Sequence, residues 1–135
     1  MANSSIAISS TTYLDDAKSL ANSRAASVLV AFTADDANGS VPTLAITGYQ
    51  GWMLYEVRTD PGSTAPTANY DITLIDEFGI DIAGGQLLNR HTSTSERVAL
   101  IDPPILRATS FTITLANNAV NSATGQICFF LARVS

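Results

Sequence analysis

Short apolar segments with a period of two recur along this chain, and clusters of turn-forming residues separate them. In residues 108–116, for example, Phe111, Ile113 and Leu115 alternate with Ser and Thr. That period marks a strand with one buried face. The clusters at 35–40 and 60–67 are rich in the Asp, Asn, Gly and Pro residues that end strands. Because no helical periodicity alternates with these segments, α/β folds are disfavoured and an all-β fold is expected.

The number and spacing of these segments predict one β-sandwich or jelly-roll-like domain of about seven or eight antiparallel strands. The predicted strands cover residues 27–33, 43–47, 52–59, 70–75, 97–101, 108–116 and 126–134. Residues 126–134 are apolar on both faces, which favours a central strand. Simple alternation in 52–59 places Met53, Tyr55 and Val57 on one face and Trp52, Leu54, Glu56 and Arg58 on the other.

Two parts are expected within the 135 residues. Residues 1–25 lack the alternation of the body and are predicted to be an N-terminal arm, either extended or containing a short helix around 15–26. We expect this arm to order on contact with neighbouring molecules. Residues 26–135 are predicted to form the β-sandwich domain. The length fits a single domain with its own core, and no internal repeat is present.

The composition excludes several classes of protein. Hydrophobic residues make up 46% of the chain and charged residues 14%, whereas charged residues average about 25% in soluble domains. This balance excludes intrinsic disorder. The polar surface comes instead from 15 Thr, 14 Ser and 8 Asn. A surface of hydroxyls and amides fits a protein that neighbours will cover.

The charge balance and the N-terminus bear on partners and location. The net charge is −5, with one Lys and six scattered Arg, so nucleic acid is not an expected partner. No apolar stretch is long enough to span a membrane, and an acidic chain binds anionic membrane surfaces poorly. No secretory signal is recognisable. We therefore expect synthesis in a reducing, cytoplasm-like compartment and no membrane association.

The residues that carry chemistry in other proteins are too few here for a site. His91 is the single histidine and Cys128 the single cysteine. A Ser–His–acid hydrolase or a zinc site needs more partners than these. Cys128 is expected to be a buried free thiol. The acidic clusters at 35–38 and 76–81 are better explained as turns than as calcium loops. We expect no enzymatic activity, no cofactor and no metal.

Four motifs in residues 50–134 together resemble a group of small structural proteins of tailed bacteriophages. They are a Pro-Thr-x-x-Tyr-Asp-Ile-Thr-Leu strand at 66–74, an Asp-Glu-x-Gly-x-Asp turn at 76–81, a Gly-Gly-x-x-x-Asn-Arg loop at 84–90 and an Asn-x-x-x-x-Ala-x-Gly segment at 118–125. The resemblance implies a virion component without enzymatic activity. It supplies no catalytic residues.

Within that resemblance we expect a capsid decoration (cement) protein on the exterior of the phage head, bound to major capsid subunits. It would form homo-oligomers, with trimers at local symmetry axes as one arrangement. A neck, tail or baseplate component and a carbohydrate- or receptor-binding β-sandwich module remain the alternatives. The residues expected at a partner interface are two in the arm, two aromatic residues and two in the Asn-Arg loop: Tyr13, Leu14, Tyr49, Trp52, Arg90 and His91.

Overall fold

The computed structural model describes residues 4–15 and 22–134, and these contain eight β-strands and no α-helix. The strands are β1 (Ser5–Tyr13), β2 (Ala25–Thr33), β3 (Leu44–Thr47), β4 (Trp52–Pro61), β5 (Asp71–Ile75), β6 (Glu96–Ala99), β7 (Ser110–Ala116) and β8 (Thr124–Arg133). The predicted all-β architecture and strand number are confirmed.

The strands form two antiparallel sheets that pack face to face as a β-sandwich. The larger sheet has the order β1-β2-β8-β4-β6 and the smaller sheet the order β3-β7-β5. From β2 to β8, each consecutive strand lies in the other sheet, which is the connectivity of a jelly roll. Residues 81–90 run back along the free edge of β5, where Asp81 bridges Ile75 and Arg90 bridges Tyr70.

The core lies between the two sheets, with β8 at its centre. β8 pairs with β2 on one side and with β4 on the other. Its inward residues Ile127, Phe129 and Leu131 are fully buried, and the Phe129 ring packs edge-on against Phe111 of β7 at 5.9 Å. The predicted central strand is therefore confirmed, as is the buried face of β7.

The simple alternation expected along β4 is wrong after Leu54. A β-bulge shifts the register between Leu54 and Glu56, so that Tyr55 has no partner of its own on β8. An extra residue in a strand moves every later side chain to the opposite face. Val57 consequently points into the core, whereas Glu56 lies opposite the outward-facing Phe130.

Cys128 is not the buried core thiol that the apolar run suggested. It is half-buried, because the alternation of β8 that sends Ile127 and Phe129 inward sends Cys128 to the outer face of the larger sheet. Burial still raises the pKa of the thiol, although hydrogen bonding to Ser27 opposes that effect. The apolar residues on both faces of β8 thus correctly predicted a central strand, but they did not show which face of the strand points into the core.

Part of the predicted arm is a strand of the sandwich. β1 pairs with β2 along its whole length, from Ser5 opposite Thr33 to Tyr13 opposite Ala26. Most of its side chains are exposed, which explains why the sequence showed no alternation there. Residues 16–21 of the helix considered for 15–26 lie outside the described residues. Residues 25 and 26 belong to β2. The division into an arm and a domain stays a prediction.

Adjacent phenylalanines of β8 test this arrangement. Phe129→Ala removes a fully buried ring and is expected to lower the free energy of unfolding by about 3–5 kcal/mol. Phe130→Ala removes a ring on the outer face, where Arg58 covers it at 4.5 Å, and should cost less than half as much. Chemical denaturation of both variants measures the difference. Equal losses would contradict the assignment of the two faces.

Candidate functional site

Large hydrophobic side chains are exposed mainly at one end of the sandwich. β1, β5, β6 and β8 all end there, and β2, β4 and β7 begin there. Of the eight exposed large hydrophobic residues in the described part of the chain, six follow these strand ends. We call this surface the apolar end, and its residues are Leu14, Phe78, Ile80, Ile101, Ile105 and Val134. Contiguous exposed apolar patches mark surfaces that bind other macromolecules, so this end is the candidate binding surface.

The turn after β5 holds two of these side chains outward. The carboxylate of Asp76 accepts hydrogen bonds from the backbone N–H groups of Phe78 and Ile80. Gly79 between them has φ 75°, a left-handed conformation that favours glycine. The turn is therefore closed by its own polar groups, and Phe78 stays 64% exposed at its tip.

Polar contacts hold the β5–β6 connection in place and join it to the β6–β7 connection. Asp81 accepts hydrogen bonds from the backbone of Leu74 and of Gly85. The side chain of Gln86 binds both the N–H and the C=O of Ile101. Arg107 makes two further contacts. Its Nη1 lies 2.7 Å from Oε2 of Glu77, and its guanidinium lies over the Phe78 ring. A surface fixed in this way loses little conformational entropy when it binds.

The opposite end of the sandwich is polar. Asn118 joins three of its loops, since its amide donates to Gly39 and its carbonyl accepts from Thr67. The carboxylate of Asp35 accepts from the backbone of the turn that follows it, as the turn interpretation of 35–40 expected. None of the large hydrophobic residues recorded as exposed in the described part of the chain lies in these loops. The two ends therefore differ in the large hydrophobic side chains that they expose.

Of the six residues predicted at a partner interface, Leu14 belongs to the apolar end. Tyr13 is partly buried against the core. Tyr49 and Trp52 are core residues, only 6% and 2% exposed, with their rings edge-on at 5.2 Å. Arg133 lies over the Trp52 ring and covers its outer side. The two aromatic side chains are thus removed from the accessible surface of the monomer.

The remaining two predicted residues lie in the loop between β5 and β6. The guanidinium of Arg90 donates to the carbonyls of Leu88 and Gln86, so it holds the loop together. His91 is exposed, and its Nδ1 accepts hydrogen bonds from the next turn of backbone. Asn89 has φ 60°, which explains the Asn of the Asn-Arg motif. These six residues do not form one surface, and their role at an interface stays a prediction.

Four side chains in the described residues have resolved pKa shifts, and each shift leads away from neutral pH. Burial raises the pKa of Tyr49 and Cys128, and it raises that of Tyr70 to about 12. Glu56 is the fourth, and its pKa is lowered. No cluster of three or more metal-ligating residues occurs within 4–15 and 22–134. In the same residues, no helix is long and apolar enough to cross a membrane.

Glu56 is held between two arginines on the outer face of the larger sheet. Its carboxylate lies 2.6 Å from Nε of Arg58 and 2.5 Å from Nε of Arg97. Burial alone would raise the pKa of Glu56, but the hydrogen bonds and charges of both arginines outweigh it and lower the pKa. The carboxylate offsets one of the two positive charges, and its contact with Arg97 joins β4 to β6.

The residues of the apolar end other than Leu14 were missed at the sequence level. Phe78 and Ile80 stand in the Asp-Glu-Phe-Gly-Ile-Asp motif, which was interpreted as a turn only. Large apolar residues at the tip of a strong turn were the available signal, because a turn tip has no core to enter. Ile101 and Ile105 follow a short strand and flank Asp-Pro-Pro, and no periodicity identifies their exposure.

No protein-family model matches this chain, and no curated protein matches it. Among solved structures the chain is similar to the cyanophage Pam1 capsid asymmetric unit, with 19% sequence identity and a TM-score of 0.44. That similarity covers 90% of this chain and 97% of the other. A likeness at this level establishes neither a shared fold nor a shared function.

Replacing Glu56 tests the charge cluster. Glu56→Gln is expected to lower the free energy of unfolding at neutral pH by about 0.5–1 kcal/mol, a modest value because both arginines are more than half exposed. Because the pKa of Glu56 is lowered in the folded protein, the ionised carboxylate stabilises the fold at pH values above the ordinary pKa of 4.5. That contribution is lost as the pH falls through the lowered pKa. The difference between the two proteins should therefore shrink in acid.

Urea unfolding of both proteins across the acidic range measures this difference. Glu77→Gln is the matched control, since Glu77 pairs with Arg107 alone, and it should change stability less. A difference for Glu56→Gln that stays constant with pH would contradict the role given to the two arginines.

Proposed function

We propose that this chain is a structural protein of a bacteriophage virion, and specifically a decoration protein that docks on the assembled head by its apolar end. The observation that carries the proposal is the unequal chemistry of the two ends of the sandwich. One end exposes Phe78, Ile101 and their neighbours on rigid loops, whereas the other is hydrogen-bonded and polar. The resemblance of residues 50–134 to small phage structural proteins supports the virion assignment.

The apolar end can supply binding free energy without chemistry. Burying a large aliphatic or aromatic side chain contributes about 1.5–3 kcal/mol. Even a few such contacts per copy stabilise a shell appreciably, because many copies act on one particle. A protein that binds the assembled shell and not the dissociated subunits shifts the equilibrium towards the shell by mass action.

The same features argue against a catalytic role. The one histidine is engaged with its own loop through Nδ1, and the four resolved pKa shifts all lead away from neutral pH. General acid–base catalysts are tuned in the opposite direction, towards the operating pH. We therefore propose a role in binding and stabilisation without catalysis.

A carbohydrate-binding module receives less support from the surface. Jelly rolls also occur in lectins, so the fold alone does not decide between the two roles. The expected aromatic platform was Trp52 with Tyr49 and Tyr55. Two of these side chains are in the core, and Tyr55 is half-buried beside Phe130.

Particles that lack this protein test the decoration role. They should assemble with tails and adsorb normally, but release DNA at a lower temperature than complete particles. The reason is that the bound copies stabilise only the assembled shell. Thermal release, followed with a DNA-binding dye, measures the effect, and mass spectrometry of purified particles should give hundreds of copies. Equal release temperatures with missing tails or a dozen copies would favour a neck, tail or baseplate component.

Charge substitutions test the docking surface. Ile101→Asp changes a side chain that is 76% exposed at the apolar end, whereas Ala68→Asp makes the same change in charge at an exposed position of the polar end. Ile101→Asp should weaken co-sedimentation with undecorated heads by at least about tenfold, equivalent to about 1.4 kcal/mol. Ala68→Asp should leave it unchanged. Loss of binding only in Ala68→Asp would reverse the proposed orientation.

A further inference from the structure

β1 forms one edge of the larger sheet, and among the described residues no strand pairs with its outer side. This edge is nine residues long, with a bulge between Ile8 and Ser10 that divides it into two regular halves. The unpaired N–H and C=O groups of an edge strand are a template for adding another strand. Natural proteins usually obstruct such an edge with charge, proline or a very short strand.

The other edge of the same sheet has those obstructions. β6 is four residues long and carries Glu96 and Arg97. β1 contains no charged residue, no proline and no glycine. Of the features that obstruct strand pairing, β1 has only the bulge. The two edges of the larger sheet therefore differ in how strongly they are protected against pairing with another strand.

The strands β1 and β3 carry no charged residue and lie on the same side of the sandwich. Residues 81–90 and β6 share the opposite side, because Arg90 lies 3.6 Å from Glu96 and Gln86 binds Ile101. β3, the other edge of the smaller sheet, therefore lies on the side of β1. Residues 4–14 and 37–55, which include β1 and β3, contain no Asp, Glu, Lys or Arg.

Ile8 of β1 is more exposed than its position on the inner face of the sheet would predict. Ile8 lies opposite Val30, and Val30 is fully buried, yet Ile8 is 47% exposed. The cause is that the smaller sheet has three strands and the larger has five, so the inner face of β1 is only partly covered: Ile6 and Tyr13 pack against the core, whereas Ile8 does not. A further strand beside β1 would cover Ile8.

We propose that β1 pairs in solution with β1 of a second copy, antiparallel and about a two-fold axis, so that the larger sheet continues through both molecules. The edge is complementary to itself: two β1 strands match in length, and neither carries a charged residue. Its Ser and Thr side chains can pair across the junction. An isologous contact of this kind closes after two copies. The short, charged edge of β6 offers no such match.

This pairing is separable from the docking function proposed above. Because the paired strands run antiparallel, the two apolar ends lie at opposite ends of the dimer and neither is buried by the contact. A variant that cannot pair should therefore still bind heads through its apolar end. Failure of one proposal leaves the other standing.

Lysine substitutions at the edge provide the test. The unaltered protein should have a concentration-dependent mass in sedimentation equilibrium that rises to twice 14.2 kDa. Ser10→Lys/Thr12→Lys, at two exposed positions of β1, should halve that limiting mass. Ala99→Lys places the same charge at an exposed position of β6 and should leave the dimer intact. Circular dichroism confirms that each variant is folded.

Amide hydrogen exchange supplies a second measurement that needs no variant. Protection of amides within 5–13 should increase with protein concentration, whereas that of β6 should not. A monomer at every concentration would overturn the proposal, as would a dimer that persists in the β1 variant. A dimer lost in Ile101→Asp but not in Ser10→Lys/Thr12→Lys would place the contact at the apolar end instead and equally overturn it.

Discussion

The packing of the two sheets against β8 is the contact on which the rest of the structure depends. β8 has a hydrogen-bonded neighbour on each side, and its inward face meets the smaller sheet through Phe129 and Phe111. The other strands contribute side chains to the same hydrophobic cluster or pack against it. Loop residues such as Tyr49, Leu87 and Leu106 contribute to this core, whereas the other loop positions at the two ends are free to differ in chemistry.

That freedom produces a molecule with distinct ends. At the polar end, side-chain amides and carboxylates such as those of Asn118 and Asp35 satisfy the backbone of neighbouring turns. At the apolar end, Asp76, Asp81 and Gln86 satisfy the backbone in the same way and leave apolar side chains outside. Hydrogen bonding therefore fixes the shape of both ends, and the identity of the side chains left over gives each end its character.

The lateral surfaces differ too. The side that contains β6 and residues 81–90 carries ion pairs, such as that between Arg90 and Glu96. On the other side, residues 4–14 and 37–55, which include β1 and β3, contain none of the four charged residue types. The few charged residues of the chain are thus distributed unevenly between the two lateral sides. An uncharged surface of this kind suits a protein that binds copies of itself or other neighbours.

The sequence by itself determined the all-β class, the position of most strands and the central place of β8. These follow from local properties, because a period of two, a two-faced apolar run and a turn cluster can each be recognised within about ten residues. The buried face of β7 and the turn at 35–40 were predicted for the same reason. The motif around Asn89 was visible as well, although its cause, a positive φ, was not.

Only the tertiary structure decided which side chains lie inside. The bulge at Tyr55 reverses the face of Glu56 and Val57, and nothing in the alternation of the strand reveals it. The smaller sheet covers only one face of β8, and the alternation of the strand turns Cys128 to the other face. The burial of Trp52 and the exposure of Ile101 and Phe78 depend on which loops meet at one end of the sandwich. These loops are distant from one another in the sequence, so local sequence patterns cannot predict that they come into contact.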